Sequence, residues 1–238
     1  MVTLEATSHP MGDLPGHLFP GLLFFLWGFW WLWRTAGRDR RSALMPVVVH
    51  PMEPWLRIVL PIVGIIGESR WWRWPITLGS LTTMQHAAMY TAFLLTGITD
   101  VLALRGRVEP TASRVSLAGA FGLTGYLFVA HGGHSHLTMT VHTILGAILI
   151  ATGLVHVCEA FMPHRTAWAW LRAFGAMLAG TWFWQVGWML YVAHYDPADP
   201  AVVLRAHFFF AVHALLLAAV VLVVSQIHRP GSGRASLG

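Results

Sequence analysis

Long apolar segments recur along the chain and are separated by short polar or arginine-containing stretches. A helix that crosses a membrane needs roughly 20 mostly apolar residues, and such windows occur seven times. Pro54, Pro75 and Pro110 lie at or before the start of a window, where a helix tolerates a missing N–H. The pattern predicts helices over residues 15–34, 54–69, 76–104, 114–132, 137–161, 167–193 and 203–227.

The composition fits a membrane protein. Of the 238 residues, 56% are hydrophobic and 11% are charged, whereas about a quarter are charged in ordinary soluble domains. The predicted fold class is therefore all-α, a polytopic membrane protein with a bundle of seven transmembrane helices. We expect an outer N-terminal segment at 1–14, one transmembrane domain at 15–228 and a disordered inner tail at 229–238.

All of the positive charge comes from arginine, and its distribution predicts the topology. With seven spans, twelve of the fifteen arginines fall on one side of the membrane, and only Arg70, Arg73 and Arg205 fall on the other. Because loops rich in positive charge stay in the cytoplasm, we expect the N-terminus outside and the C-terminus in the cytoplasm. The excess of positive charge is therefore explained by membrane topology, and we expect no nucleic-acid partner.

Several polar residues inside the predicted spans share a depth near the outer surface. A polar side chain in hydrocarbon is costly and usually faces the bundle interior. Neutral imidazoles and one carboxylate that converge from different helices are what a buried metal site requires. The predicted metal ligands are His17, Glu68, His86, His131, His142 and His213.

Two other groups of polar residues have less direct roles. Gln185 and the loop residues His134 and His136 are expected to support or cover the metal site, the last two on a flexible Gly-Gly connection. A separate inner polar layer is expected near the opposite boundary, where carboxylates would pair with Arg105, Arg107 or Arg165. Its members are Asp100, His156 and Glu159.

The ligand types restrict the metal and leave the function open. Imidazole with a carboxylate suits zinc, copper or iron, and the single Cys158 excludes a multi-cysteine site. The leading hypothesis is a metal-dependent hydrolase or oxidoreductase that acts on a lipid-like substrate, with Glu68 as ligand or general base. The alternatives are a metal-ion or proton transporter or channel, and a sensing or structural membrane protein. The expected partners are the lipid bilayer and a lipid-like small molecule, and the sequence also allows an oligomer.

Five segments resemble a known family. They are "GHLFPGLLFFLWGFWW" (16–31), "MQHAAMYTAFLLTGITDVL" (84–102), the stretch from His131 to "VHTILG", "CEAFM" (158–162) and "GTWFWQVGWMLY" (180–191). They are similar to the transmembrane protein 45 family, the domain of unknown function 716, over residues 15–215. The resemblance implies seven spans.

The resemblance also carries over residue by residue to His17, Glu68, His86, Asp100, His131, His142, Glu159, Gln185 and His213. The sequence departs from the family in the outer loop. There an H-x-H pair becomes His131-Gly-Gly-His134, and Thr140 replaces a histidine of the second pair.

Overall fold

Seven α-helices make up the part of the chain that the computed structural model describes, which is residues 13–37, 52–69, 78–130, 135–193, 195–196 and 199–227. Each helix lies within a few residues of a predicted segment, so the all-α prediction is confirmed over these residues. In chain order the helices are α1 (Leu14–Ala36), α2 (Glu53–Ser69), α3 (Leu78–Leu104), α4 (Thr111–Ala130), α5 (His136–Phe161), α6 (Thr166–Tyr191) and α7 (Pro200–Ile227).

Some predictions fall outside the described residues. They concern the tail 229–238, nearly all of the N-terminal segment 1–14, and the two loop histidines His131 and His134.

Local sequence signals fix several helix ends. The Asp13 carboxylate accepts a hydrogen bond from the Gly16 N–H at 2.7 Å before α1, and the Ser135 hydroxyl accepts one from the Thr138 N–H at 3.1 Å before α5. Both satisfy amide groups that have no partner within the helix. Gly106 ends α3 with a φ of +64°, the left-handed conformation that glycine adopts without steric cost.

Close helix packing depends on glycines. α1 packs along α6, and a Cβ at Gly180 would lie 2.7 Å from the carbonyl oxygen of Gly21. α4 packs along α5 in the same way, and a Cβ at Gly125 would lie 2.7 Å from the carbonyl oxygen of Gly146. Small residues let helix backbones approach closely, which is how helices associate without water between them. α2 packs along α3.

The outer surface of the bundle is apolar. Within the described residues, α3, α5 and α7 are long and apolar enough to cross a membrane, and α7 has the highest mean hydropathy, 2.7. Leu204, Leu215 and Leu222 on α7 are each more than 60% exposed. Such a surface fits a lipid bilayer and would be unfavourable in water.

Neighbouring helices run in opposite directions, so the bundle has two distinct ends. The histidine end carries the first residues of α1 and α5 and the last residues of α2, α4 and α6. The arginine end carries the opposite termini of the same helices. These two names are kept below.

Candidate functional site

At the histidine end, α2 and α3 bring a carboxylate and an imidazole together. Glu68 lies in the last turn of α2, and His86 lies in the first third of α3. The Oε1 atom of Glu68 is 3.3 Å from Nδ1 of His86, and both side chains are about four-fifths buried. Because α2 and α3 are antiparallel and in contact, residues at opposite ends of their sequences can meet in this way.

A second pair at the same end is formed by His17 of α1 and His142 of α5, both of which are buried. Their ring centroids are 5.9 Å apart. Nδ1 of His17 is 3.0 Å from the carbonyl oxygen of Asp13, and Nδ1 of His142 is 2.8 Å from that of Thr138. A carbonyl oxygen only accepts hydrogen bonds, so each Nδ1 carries the proton and, in the neutral ring, Nε2 carries the lone pair.

Phe128 of α4 stands between the two pairs. Its ring centroid is 6.5 Å from that of His86 and 5.8 Å from that of His142. Among the described residues, no three His, Cys, Asp or Glu side chains come close enough together to hold one metal ion. We call His17, Glu68, His86 and His142 the histidine cluster; it consists of two pairs separated by a phenylalanine.

The other predicted site residues occupy different positions. His213 of α7 contacts Gln185 of α6, with 3.3 Å between its Nε2 and the amide Oε1, and it packs edge-on against Trp182. His136 begins α5 and is exposed, whereas the sequence placed it on a flexible connection; the helix simply starts one residue earlier than predicted. His131 lies outside the described residues, as does His134.

The arginine end contains buried ion pairs. Arg57 Nη1 lies 2.5 Å from Asp100 Oδ2, and Arg172 Nη1 lies 2.8 Å from Glu159 Oε1. All four side chains are less than a tenth exposed. In a third pair, Arg34 Nη1 lies 2.7 Å from Glu53 Oε1. We call these six residues and His156 the arginine layer.

The expected partners of the inner carboxylates were therefore wrong. The sequence predicted that the loop arginines Arg105, Arg107 or Arg165 would pair with them, but Arg57 and Arg172 do so from within α2 and α6. Burial explains the difference, because a carboxylate inside the bundle must be compensated by a charge that is buried beside it.

His156 is fully buried in the arginine layer. Its ring lies 5.5 Å from Trp31 and 5.3 Å from Phe121, between ring centroids. Glu159 Oε2 lies 3.8 Å from its Nδ1 atom. Neither ring nitrogen has a hydrogen-bond partner among the described residues.

A continuous set of phenylalanine rings in mutual contact lies between the two ends. Phe24 contacts Phe93, Phe121 and Phe183, with ring centroids 5.4, 5.6 and 5.7 Å away. Phe183 also contacts Phe128, at 5.5 Å. We call Phe24, Phe93, Phe121, Phe128 and Phe183 the phenylalanine column. It reaches His142 at one end and His156 at the other.

Some of these residues carried no clear signal in the sequence. Arg57 and Arg172 were counted with the loop arginines that set topology, although an arginine within an apolar segment is itself a sign of a buried partner. Phe128 is one of thirteen phenylalanines, and nothing local distinguishes it.

One comparison with known proteins bears on this chain. Residues 110–213 match the model of a family described as "Family of unknown function (DUF716)". The predicted resemblance to the domain of unknown function 716 is confirmed over these residues, which include α4, α5, α6 and the first half of α7. The description attaches no activity to the family.

Proposed function

We propose that this chain is an integral membrane protein in which all seven helices cross the bilayer, with the histidine end outside. α2 is the shortest helix, and its 17 residues still extend about 26 Å at 1.5 Å per residue, close to the hydrocarbon thickness of about 30 Å. The arginine-rich loops then lie in the cytoplasm, as the positive-inside rule requires.

Cysteine labelling tests this topology. In a Cys158→Ser background, Glu109→Cys marks the turn after α3 at the arginine end, and Asp196→Cys marks the segment after α6 at the histidine end. A membrane-impermeant maleimide added to intact cells should label only the Asp196→Cys protein. Labelling of Glu109→Cys, or of both variants, would refute the proposed orientation.

We propose that the histidine cluster binds a transition-metal ion, zinc, copper or iron. The observation that carries this proposal is that His17 and His142 are both buried and lie close together, with ring centroids 5.9 Å apart. Each ring also donates a hydrogen bond from its Nδ1–H to the backbone carbonyl four residues earlier, which leaves Nε2 as the lone-pair atom. Metal-binding histidines use this same arrangement, since the outer hydrogen bond fixes the tautomer and orients the ring.

Binding requires the two pairs of the histidine cluster to approach one another past Phe128. The bound metal would then be held by imidazole and carboxylate ligands, a set that suits zinc, copper and iron. A metal held there would supply the activation of water for hydrolysis or of oxygen for oxidation, with Glu68 as ligand or general base. Because this topology would place the site inside the bilayer, its substrate would be lipid-like or apolar.

The phenylalanine column favours a fixed site over a transport path. An ion that moved between the two ends would have to pass five aromatic rings in mutual contact, which offer it no oxygen or nitrogen ligand. Removing a charge from water without such ligands is very costly. We therefore place the transporter hypothesis second.

Metal analysis of the purified protein tests the proposed site. We expect stoichiometric metal by inductively coupled plasma mass spectrometry, and a loss of most of it in His142→Ala and His86→Ala. His207→Ala is the matched control, because His207 is exposed and also points Nδ1 at a carbonyl of its own helix, at 2.8 Å. Unchanged metal content in both cluster variants, with the protein still folded, would refute the proposal.

A further inference from the structure

The two pairs of the histidine cluster belong to separately packed groups of helices. Glu68 and His86 lie on α2 and α3, which pack along each other and are called the α2–α3 hairpin below. Within the described residues, the backbone of α2 packs against no other helix, and α3 packs otherwise only against α4. His17 and His142 lie on α1 and α5, which are joined through α6. The two pairs can therefore change their separation when the hairpin moves as a unit.

Close contacts hold each group together. A Cβ added to Gly28 of α1 would lie 2.6 Å from a backbone nitrogen of α6, and the indole of Trp182 in α6 donates a hydrogen bond of 3.0 Å to a backbone carbonyl of α5. Within the hairpin, a Cβ added to Gly97 of α3 would lie 2.9 Å from a carbonyl oxygen of α2. Tightly packed surfaces of this kind resist sliding, so movement is expected between the groups and not within them.

The hairpin is anchored to α1 at the arginine end. The Glu53 carboxylate, at the start of α2, accepts hydrogen bonds from the Trp30 indole and from the Arg34 guanidinium of α1, both at 2.7 Å. At the same end, residues 105–110 are all that connects α3 to α4. These connections hold the arginine end in place, so a rotation of the hairpin displaces mainly its histidine end.

A narrow crevice between α1 and α2 gives the hairpin room to move. Apolar side chains make up most of its walls, from Trp31 beside the arginine layer to Pro20 of α1 and Tyr90 of α3. Pro20 follows His17 by about one helical turn, and Tyr90 follows His86 by about one turn. The free volume of the crevice is about 90 Å³. Protein interiors are otherwise close-packed, so the side chains around this space can shift into it.

We propose that the α2–α3 hairpin is hinged at Glu53 and closes when the histidine cluster binds a zinc ion. Its histidine end moves into the crevice toward α1, and the two pairs meet around one ion. This inference rests on the metal binding proposed above. The ring centroids of His86 and His142 lie 6.5 and 5.8 Å from that of Phe128. Zinc–nitrogen bonds of about 2.0–2.1 Å hold two ligand nitrogens within about 4 Å of each other, so the pairs must approach by about 3 Å or more.

Spin-label distances measured by double electron–electron resonance test the movement in the full-length protein in nanodiscs. In a Cys158→Ser background, Ile66→Cys on α2 and Met139→Cys on α5 mark the histidine end, at positions that are 60% and 50% exposed. Leu104→Cys on α3 and Phe161→Cys on α5 are the matched pair at the arginine end and are also exposed. We expect saturating zinc to shorten the first distance by about 3 Å or more and to leave the second unchanged.

A substitution that fills the crevice should hinder closure without changing any proposed ligand. Leu60→Trp enlarges a side chain in the crevice wall, so zinc should bind about tenfold more weakly, an effect of the size expected from overpacking. Val63→Trp is the control three residues later on α2, because Val63 is 51% exposed and does not line the crevice. Its zinc affinity should equal that of the parent. Thermal unfolding without zinc shows whether both variants are folded, and the distance measurement does not require either of them.

Several results would overturn the inference, with bound zinc measured in the same samples by inductively coupled plasma mass spectrometry. Bound zinc with an unchanged distance at the histidine end would refute the hinge and leave the metal site standing. Equal shortening at both ends would mean that the whole bundle contracts. A folded Leu60→Trp protein that binds zinc as tightly as Val63→Trp would mean that closure does not use the crevice. A parent protein that binds no zinc would refute zinc binding by the cluster, and the hinge with it.

Discussion

The contact between α4 and α5 gives a prediction in which the same substitution has different effects at two positions of one helix. Gly125 faces α5, and a Cβ added to it would lie 2.7 Å from the carbonyl oxygen of Gly146 and 2.9 Å from the backbone nitrogen of Ile150. Gly119 lies on the same helix, six residues earlier, and a Cβ there would have nothing within 4 Å.

The expected free energies follow from these distances. In a helix, alanine is favoured over glycine by about 0.8–1.0 kcal/mol, and this gain applies at both positions. At Gly125 two of the three nearest atoms belong to the backbone of α5 and the third is Cγ1 of Ile150, so the two helices must move apart. Overpacking of this kind costs about 1–3 kcal/mol. We therefore expect Gly119→Ala to stabilise the bundle and Gly125→Ala to be destabilising relative to it by about 1–3 kcal/mol.

Thermal unfolding in detergent measures the difference, with the fluorescence of the thirteen tryptophans as the signal. For a protein of this size, 1 kcal/mol corresponds to about 2–4 °C in Tm. Gly119→Ala should unfold above the parent protein, and Gly125→Ala should unfold several degrees below Gly119→Ala. Equal shifts in the two variants would refute the close approach of α4 and α5.

Two further predictions concern buried polar contacts. Arg172→Leu leaves the Glu159 carboxylate buried without its partner, so it should destabilise the protein by about 3–5 kcal/mol, whereas the double variant with Glu159→Leu should recover much of the loss in the same unfolding assay. A double variant no more stable than Arg172→Leu alone would contradict this explanation. Trp182→Phe removes a buried hydrogen bond to the Val141 carbonyl and should cost about 1–2 kcal/mol, whereas Trp184→Phe, whose bond lies at an exposed position, should cost less; equal losses would count against the difference in burial.

The positions of the helices could be predicted from sequence because they depend on local properties. A long apolar run that is removed from water satisfies its backbone groups by forming a helix, and the caps at Asp13 and Ser135 lie next to the residues they serve. All seven predicted segments coincide with helices for this reason. The family resemblance also depends on local motifs, so the sequence alone is enough to recognise it.

The partners of the polar side chains were decided only by the tertiary structure. Arg57 pairs with Asp100 across 43 positions of the chain, and nothing near either residue identifies the other. The positions of the histidines along their helices could be predicted from the sequence. Those positions do not determine how each helix is rotated about its axis, and therefore which neighbours its histidine faces. Packing set those rotations, and it placed the ring of Phe128 between His86 and His142. The sequence alone therefore determined which segments are helical and which polar residues lie near each end, while helix packing decided which of them meet.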